Sequence, residues 1–139
     1  MAVDEAAAAA KGKSLGAADP RLQGISDAIR VVPTSPSQDA VDMFVERYRG
    51  MGIAAVAGIE ARGFIFGPAI ALAIGAKFIP LRKPKKLPGE VFSESYVLEY
   101  GMDCLEMHVG AIEPGERVVV VDDLVATGGT LSAAIRLLG

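Results

Sequence analysis

The sequence is poor in the features that mark secreted, membrane-spanning and nucleic-acid-binding proteins. Cys104 is the only cysteine among 139 residues, so an internal disulfide is excluded and a reducing, cytoplasmic location is favoured. The longest apolar run, residues 64–76, is too short to span a bilayer, so no membrane partner is expected. The alanines near the N-terminus follow Asp4 and Glu5 instead of basic residues, so no signal peptide is expected. The net charge is −3, which argues against nucleic acid as the main partner.

The composition, with 51% hydrophobic and 22% charged residues, is typical of a globular domain. Residues 1–18 are rich in alanine and lack apolar periodicity, so we expect a disordered tail followed by one domain at 19–139. The periodicities within that domain predict helices near 20–30, 36–50, 63–75 and from 129 onwards, and strands near 53–59, 77–81, 91–98, 103–109 and 117–122.

The segment at 118–130 is the most informative part of the chain. A continuous run of four valines ends in Asp122 and Asp123, and a turn rich in threonine and glycine leads into a predicted helix. Continuous apolar strands are typical of parallel sheets that are covered on both faces, so an α/β fold is predicted. Ligands of such sheets bind beyond the carboxyl ends of the strands, which is where these two carboxylates fall.

The turn after the two aspartates has the composition of a phosphate-binding loop, and its residues are Ala126, Thr127, Gly128, Gly129 and Thr130. Glycines let backbone N–H groups approach a phosphate closely, and the following helix N-terminus favours negative charge. The two aspartates would repel a phosphate, but they suit ribose hydroxyls, which donate hydrogen bonds, or a metal ion. The alternative is an ordinary strand-to-helix turn with exposed acidic residues.

Four segments in order resemble the type I phosphoribosyltransferases, and among them the adenine phosphoribosyltransferases in their plant form. They are the segment at 118–130 and the segments at 60–64 (EARGF), 82–89 (RKPKKLPG) and 96–101 (YVLEYG). The resemblance implies the type I fold, a parallel sheet with flanking helices and a flap hairpin. It also implies that Asp122 and Asp123 bind the ribose of 5-phosphoribosyl-1-pyrophosphate (PRPP) and that the turn at 126–130 binds its 5′-phosphate.

The other three segments take their roles from the same resemblance. Pyrophosphate binding is implied for a turn with a cis peptide and for two cations after the next strand, namely Glu60, Ala61, Arg62 and Gly63, with Arg82 and Lys86. Flap residues would be Tyr96 and Tyr100, and Glu99 would be catalytic, handling a proton on the purine. Without the resemblance these segments also fit a plain helix start, a solvated basic loop and a simple hairpin. His108 and Cys104 together make a poor metal site.

The reaction implied by the resemblance joins adenine to the ribose of PRPP and releases AMP and pyrophosphate, a step of purine salvage. Mg²⁺ would be carried by PRPP, so no side-chain ligand for it is assigned. A homodimer is the expected assembly. Positioning of the two substrates and stabilisation of the developing charges would supply the catalysis, because no side-chain nucleophile is required.

Two departures from the family pattern bear on activity. The stretch around 33–40 is shortened where the family builds a hood over adenine, and the family continues beyond the helix that ends at Gly139. We therefore expect a truncated C-terminus, a weakened adenine pocket and lower stability. The alternatives are a non-catalytic module that binds PRPP or a nucleotide, and an inactive truncated isoform that acts only as a subunit of a mixed dimer.

Overall fold

The computed structural model describes residues 2–3 and 38–139 of the chain. Their elements in chain order are β1 (Ala2–Val3), α1 (Gln38–Tyr48), β2 (Ile53–Ile59), α2 (Gly63–Ile74), β3 (Lys77–Leu81), β4 (Val91–Leu98), β5 (Gly101–His108), β6 (Arg117–Val121) and α3 (Gly129–Leu138). Most of the predicted tail, the predicted helix near 20–30 and much of the shortened stretch near 33–40 lie outside the described residues. The other predicted elements are confirmed, with small shifts at their ends.

The main sheet is parallel and has the strand order β1-β6-β2-β3. Gly58 of β2 is paired with Val121 of β6 on one side and with Pro80 of β3 on the other. The carboxyl ends of β2, β3 and β6 therefore meet at one edge of the sheet, as the βαβ pattern predicts. The short strand β1, which pairs with the start of β6, has no counterpart in the sequence prediction because two residues cannot establish a periodicity.

The core lies on both faces of this sheet, and β6 contributes to each face in turn. Val118 and Val120 pack with Leu105 of the hairpin and with α3, whereas Val119 and Val121 pack with helices α1 and α2. All four valines are at most 2% exposed. This two-sided burial is the physical reason for the uninterrupted valine run, since an alternating strand would place polar residues in one of the two layers.

Strands β4 and β5 form a separate antiparallel hairpin beside the main sheet. One face of the hairpin packs against α3 through Tyr96, Leu105 and Met107, which are all buried. Arg136 of α3 also donates to Glu94 of β4 across 2.5 Å. The hairpin is thus anchored to α3 along one face. Within the described part of the chain, every helix is too short to cross a membrane.

Candidate functional site

The turns after β2, β3 and β6 converge at the carboxyl edge of the sheet. The turn after β2 contains a cis peptide bond between Glu60 and Ala61, as the resemblance implied. The N–H of Glu60 donates to the carbonyl oxygen of Leu81 across 2.9 Å, so the first two turns begin side by side. Residues from three separated parts of the chain therefore surround one candidate site at this edge.

Gly63 allows the first turn of α2 to press directly against the sheet. A Cβ at this position would lie 2.4 Å from the carbonyl oxygen of Val121 and 3.0 Å from the carbonyl carbon of Gly58. A Cβ at Gly58 would in turn lie 2.7 Å from the carbonyl oxygen of Gly63. Only glycine fits at these two positions. Because neither residue has a side chain, the turn at 60–63 can lie directly beside the end of β6.

Arg62 and Asp123 connect that turn to the acidic pair after β6. The Nε of Arg62 donates to the Oδ2 of Asp123 across 2.7 Å. The side chain of Asp123 is only 11% exposed, whereas that of Arg62 is 58% exposed. An arginine beside a largely buried carboxylate stabilises its charge and leaves the remaining guanidinium N–H groups directed towards solvent or a ligand.

The carboxyl group of Asp122 has an unusual pKa. Its burial raises its pKa to about 7, and the neighbouring carboxylate of Asp123 adds to the shift. The backbone N–H of Asp123 donates to Oδ1 of Asp122 across 2.9 Å and opposes the shift in part. A carboxyl group that changes charge near neutral pH at the edge of a parallel sheet is a typical functional-site feature.

The predicted phosphate turn, residues 126–130, leads into α3 with no side chain capping its start. Gly128 is the N-cap residue and has a φ of +85°, a conformation that favours glycine. The N–H of Gly129 donates weakly to the hydroxyl oxygen of Thr127 across 3.4 Å. Backbone N–H groups of the first turn of α3 therefore point away from the helix, which is the arrangement that binds anions.

The basic loop, residues 82–90, is held by the carboxylate of Glu60. Arg82 donates to it from Nε at 3.3 Å, the backbone N–H of Lys83 donates at 2.9 Å, and Lys86 forms an ion pair with it. Burial alone would raise the pKa of Glu60, but these donors outweigh it and lower the pKa to about 2. The structure thus gathers the predicted pyrophosphate cations around one carboxylate.

The second anchor of the basic loop is strand β5. Arg82 and Glu106 exchange two backbone hydrogen bonds, with N···O distances of 3.0 and 2.7 Å. Lys83 forms an ion pair with Asp103, and this contact raises the pKa of the lysine and lowers that of the aspartate. Sequence reasoning missed Asp103. A usable signal existed, because strand alternation places it on the same face as the buried Leu105.

The structure separates the two predicted flap tyrosines. Tyr96 is 6% exposed on the face of β4 that meets α3, whereas Tyr100 is 95% exposed at the hairpin turn. Glu99 lies in the same turn and is also exposed. Among the described residues, the hairpin turn forms no hydrogen bond with the aspartate pair or the phosphate turn. The catalytic role of Glu99 therefore stays a prediction.

The single histidine and the single cysteine lie on β5. His108 and Cys104 are both partly buried there. In the ranges 2–3 and 38–139, His, Cys, Asp and Glu side chains form no group of three or more that could hold a metal ion. Any cation at the sheet edge would therefore need ligands in addition to the aspartate side chains.

Comparison with known proteins gives a consistent result. The family model described as "Phosphoribosyl transferase domain" matches residues 38–139. Adenine phosphoribosyltransferase 5 of Arabidopsis thaliana is 64% identical over 138 residues, which cover 86% of this chain and 72% of the relative. Adenine phosphoribosyltransferase 1, chloroplastic, of the same plant is 59% identical over 138 residues, which cover 86% of this chain and 57% of the relative.

Solved structures agree with these relatives. The adenine phosphoribosyltransferase of Saccharomyces cerevisiae, complexed with adenine and an imino-altritol bisphosphate, matches with a TM-score of 0.64 and 40% identity. The match covers 86% of this chain and 62% of the yeast protein. The chain thus spans less than two thirds of the length of the yeast enzyme and of the chloroplastic relative.

Proposed function

The chain belongs to the adenine phosphoribosyltransferase family, and from that premise we propose that it forms AMP and pyrophosphate from adenine and PRPP. Its fold is the type I phosphoribosyltransferase fold. The observation that carries the proposal is the meeting of three turns at one sheet edge, joined by the contact between Arg62 and Asp123. An acidic pair flanked by two anion-binding segments matches a sugar that carries a phosphate at each end.

PRPP would lie along this edge with its ribose over the acidic pair. Asp122 and Asp123 would accept hydrogen bonds from the two ribose hydroxyls, and the turn at 126–130 would bind the 5′-phosphate. The turn at 60–63, with Arg82 and Lys86, would bind the pyrophosphate. Each carboxylate then faces neutral hydroxyls, and each cation or helix N-terminus faces a phosphate, so the charges are complementary.

The reaction would form a bond between N9 of adenine and C1 of the ribose. The bond from C1 to the pyrophosphate oxygen breaks at the same centre, and the electron pair leaves with the pyrophosphate. Cations at Arg62, Arg82 and Lys86 would stabilise the charge that develops there. Glu99 would take up a proton from the purine once the hairpin turn moves towards the site.

Mg²⁺ is part of this proposal as a companion of PRPP. Magnesium usually keeps several waters and binds substrate phosphates, so PRPP would carry the ion and no side chain of the described residues is assigned as its ligand. The ion would neutralise charge on the pyrophosphate as it leaves.

A homodimer is proposed on the basis of the outer face of α2. This helix is apolar on all sides, and Leu72 on its outer face is 85% exposed. A second copy of the chain would remove this apolar surface from water. Sedimentation velocity of the purified chain tests the dimer, and Leu72→Glu is expected to shift the species towards a monomer. A chain that sediments as a monomer at all concentrations would refute it.

The cytoplasm is the proposed location, because a single cysteine suits a reducing compartment. One of the relatives above carries the word chloroplastic in its name, so the two compartments must be compared directly. Fractionation of plant cells that express the full chain with a C-terminal tag would decide between cytosol and plastids.

Formation of AMP by the purified chain tests the activity. Adenine, PRPP and Mg²⁺ are supplied, AMP is measured by chromatography, and PRPP binding is measured separately by calorimetry. The double variant Asp122→Asn and Asp123→Asn is expected to lose PRPP binding. A control with the same charge change on α1, Asp39→Asn and Glu46→Gln, is expected to retain it.

The outcomes separate the candidate functions. AMP formation supports the enzyme, and PRPP binding without turnover supports a non-catalytic PRPP-binding module instead. Neither binding nor turnover, together with an unfolded circular dichroism spectrum, would support the isoform that acts only as a subunit. Unchanged PRPP affinity in the double aspartate variant would refute the ribose assignment.

A further inference from the structure

The hairpin contains, near its turn, a line of polar contacts that the proposed reaction does not use. Tyr96 of β4 and Asp103 of β5 are directly paired across the two strands. The hydroxyl of Tyr96 interacts with the carboxylate of Asp103 and with the side chain of Thr130. Asp103 also forms the ion pair with Lys83. The line therefore runs from the basic loop, through the hairpin, to the first turn of α3.

The two central members of this line, Tyr96 and Asp103, are largely buried. Tyr96 is 6% exposed and belongs to the core cluster formed with α3, and the side chain of Asp103 is 17% exposed. A Cβ at Gly129 would lie 3.9 Å from the Tyr96 ring and 3.4 Å from the carbonyl oxygen of Val97. The ring thus lies against the backbone of the phosphate turn, and its hydroxyl reaches the next residue.

We propose that Tyr96 and Asp103 are positioning residues that set the phosphate turn at Thr130 and the basic loop at Lys83 in fixed relation to each other. PRPP needs both ends of the site at once, because it carries one phosphate group at each end of its ribose. This line of contacts holds the spacing before the substrate arrives, which lowers the cost of ordering the site on binding. The inference rests on the proposed function, since it assigns roles within the PRPP site.

The two threonines of the phosphate turn differ in their contacts. The side chain of Thr130 contacts the Tyr96 hydroxyl, whereas the Thr127 hydroxyl accepts from the N–H of Gly129 across 3.4 Å. Thr130 therefore links the phosphate turn to the hairpin. Burial also raises the pKa of Tyr96, so its hydroxyl keeps its proton at neutral pH.

The decisive variant is Tyr96→Phe, which removes one hydroxyl and keeps the packed ring. We expect the KM for PRPP to rise by about 3- to 15-fold, the effect of losing one hydrogen bond, while kcat stays within about twofold. Calorimetry with ribose 5-phosphate as the probe should show the same loss of affinity. The matched control is Tyr48→Phe, which removes another buried tyrosine hydroxyl from the opposite face of the sheet and should leave both values unchanged.

A purely structural role for Tyr96 would give a different pattern. It would lower the melting temperature and the fraction of active molecules, so kcat would fall and the KM would stay constant. Asp103→Asn should weaken the binding of pyrophosphate as well as that of ribose 5-phosphate, because it also releases Lys83. If Tyr96→Phe does not fold, two variants of Thr130 give the same information. Thr130→Val should lose affinity for ribose 5-phosphate, and Thr130→Ser, which keeps the hydroxyl, should retain it.

The double variant Tyr96→Phe with Thr130→Val completes the test. If the Thr130 hydroxyl acts only through Tyr96, the double variant binds ribose 5-phosphate no more weakly than the weaker single variant. The inference would be overturned if the fold-losses in affinity of the two single variants multiplied in the double variant. A Tyr96→Phe protein with wild-type affinity would also overturn it. A wild-type chain that binds neither PRPP nor ribose 5-phosphate would overturn the proposed function and the inference with it. A wild-type chain that binds both, beside an unaffected Tyr96→Phe variant, would overturn the inference alone.

Discussion

Arg62 donates to Asp123 across 2.7 Å, so the turn after β2 is tied to the acidic pair after β6 before any substrate is bound. Asp122 lies next to this ion pair and is partly buried. Arg62 engages Asp123 directly, while the carboxyl of Asp122 has its pKa raised to about 7, chiefly by burial. A carboxyl group with a raised pKa therefore lies directly beside the ion pair that joins two turns of the site.

The first prediction concerns the pH dependence that Asp122 imposes on stability. Its pKa is 3.8 in the reference state and about 7 in the folded chain, so between these values the folded state keeps a proton that the unfolded state has lost. This contribution to stability is complete below pH 3.8 and is lost as the pH rises through about 7. We expect Asp122→Asn, which does not titrate, to gain stability relative to wild type as the pH rises.

Urea unfolding of both proteins at about pH 5 and about pH 8 measures this difference. Glu46→Gln is the control, because Glu46 is exposed on α1. The free energy of unfolding of that variant should follow wild type at both pH values. A constant difference between Asp122→Asn and wild type would show that Asp122 has an ordinary pKa.

The second prediction concerns the close approach at Gly63. Gly63→Ala would place a Cβ 2.4 Å from the carbonyl oxygen of Val121, so the start of α2 must move away from the sheet. We expect a loss of about 1–3 kcal/mol in the free energy of unfolding and a clear loss of pyrophosphate binding. Thermal unfolding and calorimetry with pyrophosphate measure the two effects.

Gly110→Ala is the control for Gly63→Ala. Gly110 has a φ of +75° and open space around it, so its replacement strains the backbone without any steric contact. It should cost about 1 kcal/mol of stability and leave pyrophosphate binding intact. Equal pyrophosphate affinity in wild type and Gly63→Ala would mean that the turn at 60–63 does not form that part of the site.

The third prediction concerns Glu60 as the anchor of the basic loop. Its pKa falls from 4.5 to about 2 in the folded chain, so its stabilising contribution is present above pH 4.5 and is lost as the pH falls through about 2. We expect Glu60→Gln to lower the free energy of unfolding by about 1 kcal/mol near pH 7, since solvent screens the partly exposed Arg82 and Lys86.

Acid titration of the unfolding free energy tests this third expectation. The gap between wild type and Glu60→Gln should narrow as the pH is lowered towards 3, because the wild-type carboxylate progressively loses its advantage there. Glu46→Gln again serves as the charge-matched control. A gap that does not depend on pH would assign the effect of Glu60 to packing instead of charge.

Much of the fold could be predicted from the sequence because the pattern of apolar residues follows which strand and helix faces are buried. The valines at 118–121 are apolar without interruption because both faces of β6 are buried. The strand at 53–59 and the helix that follows it begin and end where the apolar pattern does. The pairing of charges could not be predicted, since contacts such as Glu60 with Lys86 depend on how separate crossovers bring their ends together.

The two tyrosines of the hairpin show where sequence reasoning reaches its limit within the site. Both belong to one predicted flap, yet Tyr96 is buried against α3 and Tyr100 is exposed. Alternation predicts that Tyr96 shares a face with Leu98, but it does not say which face meets α3. That choice depends on the packing of the hairpin against a helix from another part of the chain.

The fourth prediction assigns Glu99 a role in the chemical step and none in PRPP binding. Glu99 lies in the exposed turn of the hairpin. Glu99→Gln keeps the size of the side chain and removes its ability to take up a proton. We therefore expect kcat for AMP formation to fall by about 10²- to 10⁴-fold, with PRPP affinity within about twofold of wild type. Glu90→Gln, an exposed glutamate before β4, should change neither value. If Glu99→Gln weakened PRPP binding and left kcat intact, the hairpin turn would serve to hold the substrate, and the proton would have to leave by another group.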